Sequence, residues 1–93
     1  MLKVNEYFDG TVKSIALENE EGIATVGVME TGEYEFGTAT IEYMSIISGF
    51  LDVRLPGETE WKSYTKGDTF IVSKDVRFMV RANGHVAYYC RYV

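Results

Sequence analysis

Period-two alternation of side-chain character constrains this chain more than any other feature. Tyr34, Phe36, Thr38 and Thr40 share one parity, while Glu33, Glu35 and Gly37 take the other. Successive side chains of a strand point to opposite faces, so the pattern predicts a strand with one largely uncharged face and one acidic face. Leu51, Val53 and Leu55 alternate with Asp52 and Arg54 in the same way. Residues 25–30, 69–73, 77–82 and 86–93 are short runs rich in Val, Ile, Phe and Tyr, the composition of further strands. Turn chemistry separates these runs at Pro56-Gly57, Lys66-Gly67-Asp68 and Asn83-Gly84. The Asn-Gly pair tolerates positive φ at both positions, so residues 77–82 and 86–93 are expected to pair as an antiparallel hairpin. Ile41, Met44 and Ile47 fall at helical intervals, but the β-branched residues around them favour a turn running into a strand. Eight to ten short strands without a helix predict an all-β antiparallel sandwich or barrel.

Length and composition narrow the function. With 93 residues the chain is expected to form a single domain, because two cores would each lack material. It has one cysteine and one histidine, too few for an intramolecular disulfide or for a zinc finger. No apolar run approaches the ~20 residues of a membrane span. Residues 1–6 lack a basic start followed by an apolar stretch, so a cytoplasmic location is expected, with no membrane partner. The net charge of −5 argues against nucleic acid as a partner. Charge is nonetheless uneven: residues 1–60 carry 12 acids and 3 bases, and residues 61–93 carry 2 acids and 6 bases. That asymmetry fits either a solvated acidic surface or a basic C-terminal third that brings cations to an anion.

Several residues are candidates for chemistry. The face of Tyr34, Phe36, Thr38 and Thr40 fits plain core packing; it also fits a pocket wall that stacks on a planar ligand and hydrogen-bonds a sugar. Glu42, if it points inward, would accept hydrogen bonds from sugar hydroxyls or hold a proton for transfer. Arg81 and Arg91 lie on the two strands flanking the Asn-Gly turn, where paired guanidiniums would grip an oxyanion; surface ion pairing is the competing reading. His85 fits an exposed turn residue, and Cys90 a small buried one.

With strands placed in this order, the chain resembles a cupin, a small jelly-roll barrel. The first cupin motif sets two histidines in His-x-His spacing, followed by a glutamate and later a glycine. Glu42 and Gly49 match the last two, and Phe36 and Thr38 fall in the histidine slots. Gly67 matches the second motif, in which Ser73, Asp75 and Phe78 stand for a proline, a glycine and the third histidine. A lone carboxylate holds a transition metal poorly, so a cupin without metal or other cofactor is expected.

A closer resemblance covers essentially the whole chain. Asn5-Glu6-Tyr7-Phe8, Val12-Lys13-Ser14-Ile15, Val26-Gly27-Val28-Met29, Gly32-Glu33-Tyr34, Met44, Ile47-Ser48-Gly49, Leu55-Pro56, Trp61 and Cys90-Arg91-Tyr92 resemble the small pyrimidine/purine nucleoside phosphorylase family. That resemblance implies a metal-free cytoplasmic cupin, a homodimer, that splits diverse nucleosides with phosphate into free base and ribose 1-phosphate. Phosphorolysis needs a held phosphate, charge stabilisation at the sugar and a surface for the base, so Glu42 and Arg91 are expected in the catalytic roles and Tyr34, Phe36, Thr38, Phe78 and Arg81 against substrate. Arg81 fills a slot where the family commonly has glutamine, which favours Arg91 as the phosphate ligand. The alternative is a non-catalytic cupin that binds a small anion or a nucleoside.

Overall fold

A computed structural model describes residues 1–93 and contains ten strands and no helix. They are β1 (Val4–Tyr7), β2 (Val12–Asn19), β3 (Gly22–Met29), β4 (Gly32–Gly37), β5 (Glu42–Ser48), β6 (Phe50–Arg54), β7 (Lys62–Thr65), β8 (Thr69–Val72), β9 (Arg77–Ala82) and β10 (Val86–Tyr92). A six-stranded sheet runs β1-β2-β3-β10-β5-β8, and a four-stranded sheet runs β4-β9-β6-β7. Every pairing is antiparallel. The two sheets face each other as a jelly-roll sandwich, the all-β architecture that the alternation predicts.

The inward parity of each strand supplies the core. Met29, Leu51, Val53, Val72, Val80 and Val86 are buried, together with Phe70, Phe78 and Tyr88. Leu51 and Val53 alternate with Asp52 and Arg54 as expected, and Tyr34 is inward between outward Glu33 and Glu35. Residues 42–48 form a strand, so β-propensity outweighs the helical spacing of Ile41, Met44 and Ile47.

Two expectations need correction. The Asn83-Gly84 turn exists, with Gly84 at φ 92°, but β9 and β10 do not pair. β9 lies between β4 and β6, and β10 between β3 and β5, so the turn carries the chain from one sheet to the other. The apolar parities of both strands face the shared core, which a sandwich satisfies and a flat hairpin would not. The second correction concerns β4, which ends at Gly37, so Thr38 and Thr40 belong to the following loop. Thr38 Oγ1 donates to the Ser73 carbonyl at 2.7 Å and accepts from the Val76 amide at 3.1 Å, which staples this loop to the β8–β9 turn.

Gly49 makes the sharp turn between β5 and β6. Its φ is 84°, and a Cβ there would lie 2.7 Å from the His85 carbonyl oxygen, so the β9–β10 turn packs where any side chain would stand.

The two outer faces differ in chemistry. On the four-stranded sheet Glu33, Arg81 and Asp52 are neighbours across three strands, with Glu35, Arg54 and Arg77 around them. On the six-stranded sheet one row runs Val4, Ile15, Val26, Tyr89, Ser45 and Thr69 across all six strands. Val28 and Ile71 flank that row, and both remain exposed.

Candidate active site

A cavity of about 270 Å³ opens at one end of the sandwich, close to the lower limit for small-molecule sites. Both sheets and the β1–β2 turn build it. β4 and β9 contribute Phe36 and Phe78, which are register partners with ring centroids 5.9 Å apart. β5 contributes Glu42 and Met44, and β10 contributes Tyr88, Cys90 and Tyr92 from its inward parity. Ser14 of β2 and Met29 of β3 complete the wall.

The rim is aromatic. Tyr7 and Phe8 end β1 and enter the β1–β2 turn, and both are about half exposed. Phe8 has φ 51°, a left-handed conformation that costs a bulky residue energy. The Thr11 amide and hydroxyl both donate to the Phe8 carbonyl and hold the turn. In that conformation the Phe8 ring packs 5.0 Å from Tyr34 and 5.5 Å from Phe36, so the turn places an aromatic edge over the mouth.

Glu42, half-buried at the start of β5, is the inward acid of the cavity wall. Burial raises its carboxyl above the ordinary carboxylate range, opposed in part by the Cys90 thiol, which donates to Oε1 at 3.5 Å. Burial also pushes the Cys90 thiol far up, with the Glu42 charge adding to the effect, so Cys90 is unsuited to nucleophilic attack at neutral pH. Burial raises the Tyr92 phenol well above its normal range too, although its hydrogen bond with Thr25 at 3.0 Å opposes the shift. No three His, Cys, Asp or Glu side chains converge on a common point, and a single carboxylate beside a protonated thiol is a poor donor set for a divalent metal.

Of the residues singled out from the sequence, Glu42, Phe36 and Phe78 line the cavity. Tyr34 does not line it. Its ring is buried behind Phe8 and Phe36, and its hydroxyl donates to the Glu30 carbonyl at 2.7 Å, so it props the aromatic wall from behind. Thr38 is spent on the loop staple described above.

Neither Arg81 nor Arg91 reaches the cavity. Arg81 points outward from β9, donates to Asp52 at 3.0 Å and stacks over Trp61 at 4.2 Å. Hydrogen bonds from Ser63 and then Arg81 hold the Asp52 carboxyl below its usual range. Arg91 lies mid-sheet on the outer face of the six-stranded sheet, 4.8 Å over the Tyr43 ring. The cause is parity: Tyr88, Cys90 and Tyr92 take the inward positions of β10, which leaves Arg91 outside. No lysine or arginine lines the cavity; the cation tied to its rim is Arg77, which donates to the rim residue Glu35 at 3.3 Å.

The sequence reading missed Tyr7, Phe8, Ser14 and Tyr88. The inward alternation Val86, Tyr88, Cys90, Tyr92 is a usable signal for Tyr88, masked by Arg91 on the opposite parity of the same strand. Nothing in the local pattern of Phe8 shows that a left-handed backbone would turn its ring over the mouth.

Fold and cavity together define a cupin-type jelly roll whose pocket is aromatic and carboxylate-bearing and lacks a metal-ligand cluster. An RmlC-like cupin from Shewanella frigidimarina superposes with a TM-score of 0.74 at 18% identity, covering 96% of this chain and 80% of its own. The sequence profile of the pyrimidine/purine nucleoside phosphorylase family matches residues 2–92, and the chain belongs to that family. A pyrimidine/purine nucleoside phosphorylase from Pseudomonas putida is 56% identical over 92 residues, spanning 99% of this chain and 98% of the relative. A crystal structure of a Vibrio parahaemolyticus protein of unknown function has a TM-score of 0.94 and 39% identity, covering 100% of this chain and 99% of the other.

Proposed function

We infer that this protein is a nucleoside phosphorylase of broad base tolerance, which splits purine and pyrimidine nucleosides with phosphate into free base and ribose 1-phosphate. The observation that carries this reading, beside family membership, is an aromatic cavity with one inward carboxylate and no Asn or Gln amide among its lining side chains. Stacking on an aromatic ring is worth about 1–3 kcal/mol per base and accepts any base, because every base has a π-face. Phe36, roofed by Phe8 and backed by the buried Phe78, is the stacking surface. Glu42 lies toward the ribose, where its carboxylate stabilises positive charge developing at C1′ as the glycosidic bond lengthens. Phosphate enters from the mouth, since an anion deeper in the cavity would meet Glu42 without a neutralising cation.

In balance, the glycosidic C1′–N bond breaks with its electron pair going to the base, an oxygen of hydrogen phosphate forms the new bond to C1′, and the base gains the proton that the phosphate gives up. Uridine and inosine incubated with the purified protein are expected to release uracil and hypoxanthine only when phosphate is added, followed by chromatography. Nucleoside binding in calorimetry without turnover in phosphate would instead establish the non-catalytic cupin.

We also propose that the working unit is a homodimer joined through the outer face of the six-stranded sheet. That face carries Val4, Ile15, Val26, Val28 and Ile71 at 40–54% exposure, an apolar patch that water does not favour. Six strands at ~4.8 Å spacing and ~20 Å length give a footprint of roughly 600 Å² before side-chain relief, near the ~800 Å² per partner of a standard interface. A second copy is the occupant that matches such a patch, since a two-fold axis pairs the row with itself. A cytoplasmic location is the setting that fits a supply of nucleosides and phosphate, and no helix here is long and apolar enough to cross a membrane.

A further inference from the structure

Tyr88 is the buried phenol of the cavity for which the reaction outlined above has no use. It sits on β10 directly opposite Gly27 of β3, and Gly27 in turn opposes Ser14 of β2. A Cβ on Gly27 would lie 2.5 Å from both Cζ and Oη of Tyr88, so the end of the ring occupies the space that any other residue at position 27 would fill. The ring therefore lies across β3, and its hydroxyl reaches toward Ser14, which lines the same cavity. The Asn5 side-chain amide donates to Ser14 Oγ at 3.3 Å from the neighbouring strand β1. Ser14 is a hydrogen-bond partner of the Tyr88 hydroxyl; when Ser14 donates to the Tyr88 oxygen, the phenol proton is left for the cavity. That phenol stays protonated at neutral pH, because burial pushes it up to about 12.

We propose that Tyr88 is a substrate-binding residue that donates a hydrogen bond to a ribose hydroxyl, and that Gly27 is the positioning residue that makes room for it. The proposal rests on the phosphorylase reading. Ribose, rather than phosphate, is the partner because the cavity offers a carboxylate and neutral O–H groups without a cation. A sugar hydroxyl satisfies both, accepting from Tyr88 and donating to Glu42, whereas a phosphate dianion would be repelled by Glu42.

The test compares wild type, Tyr88→Phe, Gly27→Ala and the double variant on uridine and on its 2′-, 3′- and 5′-deoxy analogues, with phosphate saturating. Thermal melts confirm that each variant is folded. Tyr88→Phe keeps the ring and is expected to lower kcat/KM for uridine about tenfold, the scale of one lost hydrogen bond. The loss is expected to disappear for one deoxy analogue, the one that lacks the hydroxyl contacted. Gly27→Ala is expected to lower kcat/KM in the wild-type background with the same analogue dependence; in Tyr88→Phe it still displaces the ring but adds no penalty that depends on that hydroxyl, a pattern that general loosening would not produce. Wild-type turnover with Tyr88→Phe within twofold of it, or a penalty equal across all three deoxy analogues, overturns this assignment alone. Absence of wild-type turnover on any nucleoside overturns the phosphorylase reading and the assignment with it.

Discussion

Glu42 is subject to two opposing demands. Burial disfavours its charge, yet a carboxylate opposite an oxocarbenium-like sugar is useful only when charged. Its pKa is raised in the folded protein, so between the unfolded and folded values the native state binds the extra proton and stability declines as pH rises. Above the folded value the cost of the buried charge is fully present. Glu42→Gln is therefore expected to raise Tm at neutral pH and to flatten that pH dependence. The same substitution is expected to lower kcat by at least about 100-fold, in line with loss of a positioned carboxylate. In wild type kcat/KM should fall on the acid side as Glu42 protonates, with a midpoint above the ordinary carboxylate range. Phosphate titrates in both proteins, so the limb belonging to Glu42 is the part missing from the glutamine variant. A variant with wild-type kcat would remove Glu42 from the chemistry. Arginine shows the opposite side of residue-scale reasoning: Arg81 and Arg91 are chemically apt for phosphate, but strand parity sends both outward.

At the scale of elements, strands were legible and their partners were not. The alternation of Leu51-Asp52-Val53-Arg54 and of Glu33-Tyr34-Glu35-Phe36 reports which face is buried, because each strand carries that information within itself. Pairing depends on the other sheet, and nothing near Asn83-Gly84 says that its flanking strands face each other across a core instead of hydrogen bonding. The candidate site divides along the same line. Phe36, Phe78 and Glu42 were readable from parity and motif spacing, whereas Phe8 and Tyr88 depend on a turn conformation and on a glycine of the neighbouring strand. Gly49 is where element geometry can be tested. Gly49→Ala places a side chain at φ 84° and 2.7 Å from the His85 carbonyl, so the β5–β6 and β9–β10 turns must separate. A destabilisation of about 2 kcal/mol or more is expected, which in a chain of this size is a fall in Tm of roughly 8–16 °C. A Tm within 2 °C of wild type would mean that the two turns are not tightly packed.

For the whole molecule, the contrast between its two outer faces is the basis of the proposed dimer. Charges dominate the four-stranded sheet, whereas the six-stranded one carries exposed Val and Ile side chains beside Arg91 and the Glu6–Lys13 pair, so the second gains more by being covered. Val26 lies mid-row on that face, and Val26→Asp is expected to convert a dimer into a monomer in light scattering coupled to size exclusion, with the strand spectrum retained. A wild-type monomer at micromolar concentration would contradict the dimer. In the cavity, aromatic walls and one carboxylate are proposed to accept any nucleoside and pass its ribose to phosphate. Phosphorus NMR of the protein with inosine and inorganic phosphate tests that claim most directly. A ribose 1-phosphate resonance growing in step with hypoxanthine, and absent with Glu42→Gln, is the predicted result; hypoxanthine appearing with free ribose, or an unchanged phosphate resonance, would contradict it.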